Sequence, residues 1–156
     1  MGIEIERKFL VSNDEWRTLG TPVHYAQGYL TADGERTVRV RIAGSMGFLT
    51  IKGRSRGISR LEFEYLVPRE EALEMLQLSI VPIIEKYRTK ISYEGKIWEV
   101  DEFEGNNKGL IMAEIELKSE DESFLIPPWI GQEVTGDNRY YNSCLAQNSF
   151  KNWSLK

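Results

Sequence analysis

Apolar and polar residues alternate with period two along most of this chain. The alternation runs through Ile3–Val11, Val23–Thr31, Glu35–Ala43, Met46–Lys52, Ile58–Val67, Ile83–Tyr93, Lys96–Phe103 and Leu110–Ser119. Each run predicts a strand with one apolar and one polar face. Turn residues separate them: Ala32-Asp33-Gly34, Gly44-Ser45, and Glu94-Gly95, a tight-turn signal inside a hairpin. Helical spacing is scarce. Ser12 with Glu15 three residues on predicts a capping box and a short helix over 13–19. Pro68 suits the first turn of a helix running to about Leu78, with Ala72, Leu73, Met75 and Leu76 as its apolar stripe. Pro127 and Pro128 break the pattern, and a last helix is predicted over 137–147. About eight strands with few, short helices favour a mainly β (α+β) fold, a closed or nearly closed antiparallel barrel, over a βαβ arrangement.

The polar faces are unusual. Glu4, Glu6 and Lys8 share one face of the first strand, opposite Ile3, Ile5 and Phe9. Arg39 and Arg41 stand opposite Val38, Val40 and Ile42, and Lys52 stands opposite Ile51. Glu62 and Glu64 alternate with Leu61, Phe63 and Tyr65. Lys86, Arg88 and Lys90 share a face, as do Glu99 and Asp101, and as do Glu114, Glu116 and Lys118. Any one of these strands is what a half-solvated antiparallel sheet looks like. Together they differ from that, because nearly every slot is ionised and the signs are sorted by strand.

A barrel closed with these faces inward brings acidic and basic stripes together across a lumen. Uncompensated burial of so many ions would cost several kcal/mol each, so the lumen must be wet and hold water, metal ions and a polyanion. The apolar faces then point outward and need cover. They exceed what the few helices supply, which makes a homodimer an expectation.

Composition narrows the field. At 156 residues the chain suits one domain, read here as 1–156, and aromatics at 11% disfavour disorder. No stretch approaches the ~20 apolar residues that span a bilayer. Glu4, Glu6, Arg7 and Lys8 fall where a signal peptide needs its apolar core. The single Cys144 excludes an internal disulfide framework, and the single His24 excludes a two-histidine metal site. The cytoplasm is the default compartment. A formal net charge of -4 gives no generic affinity for nucleic acid or an acidic membrane. No G-x-x-x-x-G-K-[ST] loop is present, which excludes a P-loop site.

Convergent Arg and Lys suit a chain of phosphates, Arg by bidentate contacts and Lys as point charges. Carboxylates at i, i+2 on adjacent strands are hard oxygen ligands for Mg²⁺ or Mn²⁺. Both together point to metal-dependent phosphoryl chemistry.

Glu4-Ile5-Glu6-Arg7-Lys8 resembles the amino-terminal E-x-E-x-K signature of the CYTH domain, the triphosphate tunnel metalloenzymes. The resemblance continues through Gln27-Gly28-Tyr29-Leu30, Val38–Arg41, Thr50-Ile51-Lys52, Glu62–Tyr65, Glu85–Arg88, Trp98–Phe103, Ala113–Leu117, Gly131–Thr135 and Arg139–Asn142. It implies an eight-stranded tunnel that binds a triphosphate with divalent metal and hydrolyses its terminal phosphate. By that resemblance Glu4, Glu6, Glu114 and Glu116 are metal-site carboxylates, with Glu62, Glu64 and Asp101 as further ligands, directly or through water. Mg²⁺ or Mn²⁺ is the implied cofactor, as two ions. Lys8, Arg39, Arg41, Lys52, Lys86 and Arg88 resemble the triphosphate-binding set. Lys8, Tyr29 and Arg41 are the catalytic candidates, although Tyr29 fits a wall aromatic equally well.

The leading expectation is a tripolyphosphatase. An organic triphosphate, either thiamine triphosphate or a nucleoside triphosphate, is an alternative substrate. Adenylate cyclisation is disfavoured, because only Met1-Gly2-Ile3 precede Glu4 where the cyclase branch carries a His-Phe pair. No helical, histidine-rich domain follows, so a stand-alone short form is expected. A polyphosphate-binding sensor without catalysis and a barrel with merely wet outer faces also stay open.

Overall fold

A computed structural model describes residues 2–155. Among the described residues nine strands form: β1 (Ile3–Val11), β2 (Pro22–Ala32), β3 (Arg36–Ala43), β4 (Met46–Gly53), β5 (Ser59–Val67), β6 (Ile84–Tyr93), β7 (Lys96–Phe103), β8 (Ile111–Glu116) and β9 (Ile130–Glu133). Their order is β5-β4-β3-β2-β6-β7-β8-β1, all neighbours antiparallel, and β1 pairs back onto β5 to close an eight-stranded barrel. The closing seam is short, with Ile3, Glu4 and Ile5 opposite Leu61, Arg60 and Ser59. Past it, the same edge of β1 is taken by β9, which was not expected from the sequence. Four residues after Pro127 and Pro128 are too few to show a convincing period.

Local chemistry explains the turns. Glu94 (φ 49°) and Gly95 (φ 78°) both sit in the left-handed region, as a two-residue hairpin turn matching sheet twist requires. Asp33 Oδ1 accepts from the amides of Glu35 and Arg36 at 2.8 and 2.9 Å and so closes the β2–β3 turn. The predicted helix over 13–19 shrinks to a 3₁₀ turn, Glu15–Thr18. Asn13 Oδ1, and not Ser12, accepts from the Glu15 amide at 2.9 Å. Helix α1 is Arg69–Leu76 with Pro68 as its N-cap residue. The predicted 137–147 helix is split at the extended Tyr141 into a 3₁₀ turn, Asn138–Tyr140, and α2, Asn142–Gln147.

The apolar side of the barrel faces outward and is covered in patches. Phe9, Ile91, Trp98, Val100, Ala113 and Ile115 pack beneath Trp16 and Trp129. Val40 and Ile42 pack beneath Ala72 of α1. Gly47 permits that approach, since a Cβ there would lie 2.9 Å from the Ala72 Cβ. The outer face of β5 is uncovered: Leu61, Phe63 and Tyr65 are exposed, beside Ile3 and Ile51. No described helix is long and apolar enough to cross a membrane.

The inward rows change character along the bore. Lys8 is followed by Leu10, Lys86 preceded by Ile84, Asp101 followed by Phe103 and Glu114 preceded by Met112. These apolar members pack with Tyr29, Val134, Tyr140 and Leu145. One end of the barrel is thus stoppered by its own apolar residues and the carboxy-terminal helices, and charge is confined to the rest.

Candidate active site

The inward faces enclose a cavity of about 210 Å³. Glu4, Glu6, Lys8, Tyr29, Arg39, Arg41, Lys52, Glu62, Glu64, Lys86, Arg88, Glu114 and Glu116 all line it. Residues from β1, β2, β3, β4, β5, β6 and β8 therefore look into a single bore, and the geometric expectation drawn from period two is met. Asp101 does not line the cavity. It is fully buried on the inward face beneath Lys86 and Arg88, its Oδ1 accepting from Arg88 Nε at 2.7 Å and its Oδ2 from Lys86 Nζ at 2.7 Å and Arg88 Nη2 at 2.8 Å. Both oxygens of this expected metal ligand are thus occupied by cations.

Lysines bridge the carboxylates. Lys8 Nζ lies 3.2 Å from Glu6 and 3.4 Å from Glu114. Lys52 Nζ lies 3.1 Å from Glu4 and 3.4 Å from Glu62. Arg60 Nε donates to Glu4 Oε1 at 3.2 Å, and its guanidinium lies 5.5 Å from the Tyr141 ring centroid. The backbone of Lys8 is pinned by Thr135 Oγ1 at 2.9 Å and by the Val134 amide at 2.8 Å, so the carboxy-terminal segment fixes this residue.

A neutral network runs across the stoppered side. Gln27 Oε1 accepts from Arg41 Nε at 3.0 Å. Gln27 Nε2 donates to Tyr29 Oη at 3.1 Å and to Asn142 Oδ1 at 2.9 Å, and Lys86 Nζ reaches that same Asn142 oxygen at 2.9 Å. Sequence reasoning assigned no role to Tyr25, Gln27, Tyr141 or Asn142. Tyr25 and Gln27 were findable, since both share the inward face of β2 with Tyr29. Asn142 was not, because its helix enters the site from outside the barrel pattern.

A CYTH domain model matches residues 2–143. The chain belongs to the CYTH domain family. An inorganic triphosphatase from Acetivibrio thermocellus is 54% identical over 154 residues, covering 98% of this chain and 99% of that protein. An inorganic triphosphatase from Nitrosomonas europaea is 40% identical over 152 residues, covering 92% and 96%. The crystal structure of an inorganic triphosphatase superposes with a TM-score of 0.63 at 34% identity, covering 92% of this chain and 93% of that one.

The electrostatics of this CYTH barrel are strongly coupled. Burial raises Glu6 to about 8, with Glu114 adding repulsion. Burial also raises Glu62 and Glu116, and Glu4 pushes both further. Burial works against Glu4 and Glu114 as well, but Lys52 and Arg60 hold Glu4 down at about 2, and Lys8 and Arg88 hold Glu114 well below the usual range. Among the cations, burial lowers Arg41 to about 10, with Arg39 and Arg88 reinforcing it. Burial is outweighed at Lys8, where Glu114 and Glu6 raise the pKa. Among the described residues no three carboxylates are already gathered as a cation cage. The donor set nevertheless suits a hard divalent ion: burial, reinforced by neighbouring carboxylates, makes Glu6, Glu62 and Glu116 resist ionisation, and such a charge relieves them.

Proposed function

We propose that this protein is an inorganic triphosphatase that hydrolyses tripolyphosphate in the barrel lumen. The observation that carries the reading is the cavity of about 210 Å³ in which Arg39, Arg41, Lys52, Lys86 and Arg88 face Glu4, Glu6, Glu114 and Glu116. That volume is below the roughly 300–1,000 Å³ of pockets for drug-sized organic ligands. It suits a phosphate chain without a nucleoside.

The basic residues grip the anion and stabilise charge developing on the bridging oxygen as water adds to the terminal phosphorus and the phosphoanhydride P–O bond breaks. Lys8, held protonated by Glu6 and Glu114, serves as a fixed positive charge and not as a base. Glu4, Glu6, Glu114 and Glu116, supported by Glu62 and Glu64, would hold Mg²⁺ or Mn²⁺, which supplies charge neutralisation and a more acidic bound water. Asp101 acts on this reading by holding Lys86 and Arg88 in place.

Phosphate release from tripolyphosphate, ATP, thiamine triphosphate and pyrophosphate, each with Mg²⁺ and with Mn²⁺, tests the reading. Tripolyphosphate is expected to turn over fastest. Faster release from an organic triphosphate overturns the substrate, and tight binding with no release under either metal makes the protein a sensor.

A further inference from the structure

Arg41 is the odd cation of the bore. Arg39, Lys52, Lys86, Arg88 and Lys8 each lie within 4.0 Å of a carboxylate. Among the described residues Arg41 has no such partner, and its placement comes from two neutral groups. One is Gln27. Both N–H donors of that fully buried amide are spent on Tyr29 Oη and Asn142 Oδ1, which turns its oxygen toward Arg41 Nε at 3.0 Å. The other is Tyr25, a buried residue whose ring centroid lies 4.9 Å from the Arg41 guanidinium carbon. The same ring lies 5.1 Å from the Arg88 guanidinium carbon and 5.9 Å from Lys86 Nζ.

An aromatic face attracts cations without carrying charge. The ring offsets part of the repulsion among the three cations gathered on it, and a carboxylate beside Arg41 would compete with phosphate for that cation. A ring and an amide hold Arg41 still and leave its charge undiminished. Building on the triphosphatase reading, we propose that Tyr25 is a positioning residue of the active centre, whose ring face, together with Gln27, presents Arg41 to the phosphate chain without a direct carboxylate partner.

The test is tripolyphosphate affinity in metal-free buffer, read by calorimetry, with melting temperature read alongside. Tyr25→Phe keeps the ring and is expected to bind within about twofold of the parent; Tyr25→Leu is expected to bind on the order of tenfold more weakly. Phenylalanine carrying one, two or three ring fluorines at position 25 keeps shape while draining the π face, so affinity is expected to fall stepwise. This isosteric series carries the test should Tyr25→Leu fail to fold. A pure packing role would leave the series flat, and a flat series overturns the proposal. A parent protein that binds no tripolyphosphate overturns the functional reading instead, and this proposal with it.

Discussion

Two walls of the bore hold their cations in opposite ways. On the β6–β7 wall, Arg88 is locked to Asp101 at 2.7 Å, with Glu99 at 3.2 Å and Glu114 at 3.6 Å, and Lys86 shares the same aspartate. On the β2–β3 wall, Arg41 rests on Gln27 and Tyr25, and Arg39 has Thr50 at 3.2 Å and the partly exposed Glu64 at 3.4 Å. A neutralised cation contributes mainly shape and rigidity, whereas an uncompensated one contributes field. The β6–β7 wall is therefore a structural member with phosphate-binding edges, and the β2–β3 wall is where negative charge is missing from the protein.

The comparison breaks most visibly at Asp101. Asp101→Ala leaves Lys86 and Arg88 buried without their carboxylate, and stability is expected to fall by about 3–5 kcal/mol. Urea unfolding monitored by Trp fluorescence reads this. A loss under about 1 kcal/mol would mean that the wall does not depend on the aspartate. Arg41→Ala is the counterpart. Tripolyphosphate turnover is expected to drop by at least about 100-fold. The melting temperature should stay level or rise, because the group removed is desolvated, is crowded by Arg39 and Arg88 and, among the described residues, forms no ion pair. A large fall in melting temperature would show that Arg41 is structural after all.

Much of this was legible because β-strand alternation has a period of two and most strand charges keep step with it, Arg7, Glu85 and Glu102 being exceptions on the outward face. Glu4-x-Glu6, Arg39-x-Arg41 and Glu114-x-Glu116 announce an inward ionic face, and the barrel follows from the number of strands and the scarcity of helices. What stayed hidden depends on contacts distant in sequence. Asp101 shares its alternation face with Glu99, so the pattern cannot tell that Glu99 lines the cavity while Asp101 is sealed beneath Lys86 and Arg88. The stopper of Leu10, Ile84, Phe103 and Met112 continues the inward rows, but its closure needs Tyr140 and Leu145 from a segment with no strand period. Asn142 enters the site on that segment, and the Tyr141 break before it cannot be read from propensity alone.

The finest distinction between the walls lies in Lys86. Burial lowers its pKa to about 7, with Arg88 and Arg41 reinforcing the shift and Asp101 offsetting part of it. In metal-free protein the amine is then mostly charged at pH 6 and mostly neutral at pH 8. Tripolyphosphate favours the charged form, so binding at pH 8 draws a proton onto Lys86 and binding at pH 6 does not. Calorimetry in two buffers of different ionisation enthalpy counts protons taken up. Glu6, raised to about 8, adds uptake of its own, and the phosphate chain has its own protonation, so the informative quantity is the difference between parent and Lys86→Met. The parent is expected to take up most of one proton more than the variant at pH 8 and about the same number at pH 6. Lys86→Arg, charged at both values, should follow the variant's proton count while keeping more of the affinity. Equal uptake by parent and Lys86→Met at pH 8 would mean that Lys86 is already charged there, held by Asp101 as firmly as Arg88 is, and that the β6–β7 wall has no titrating member.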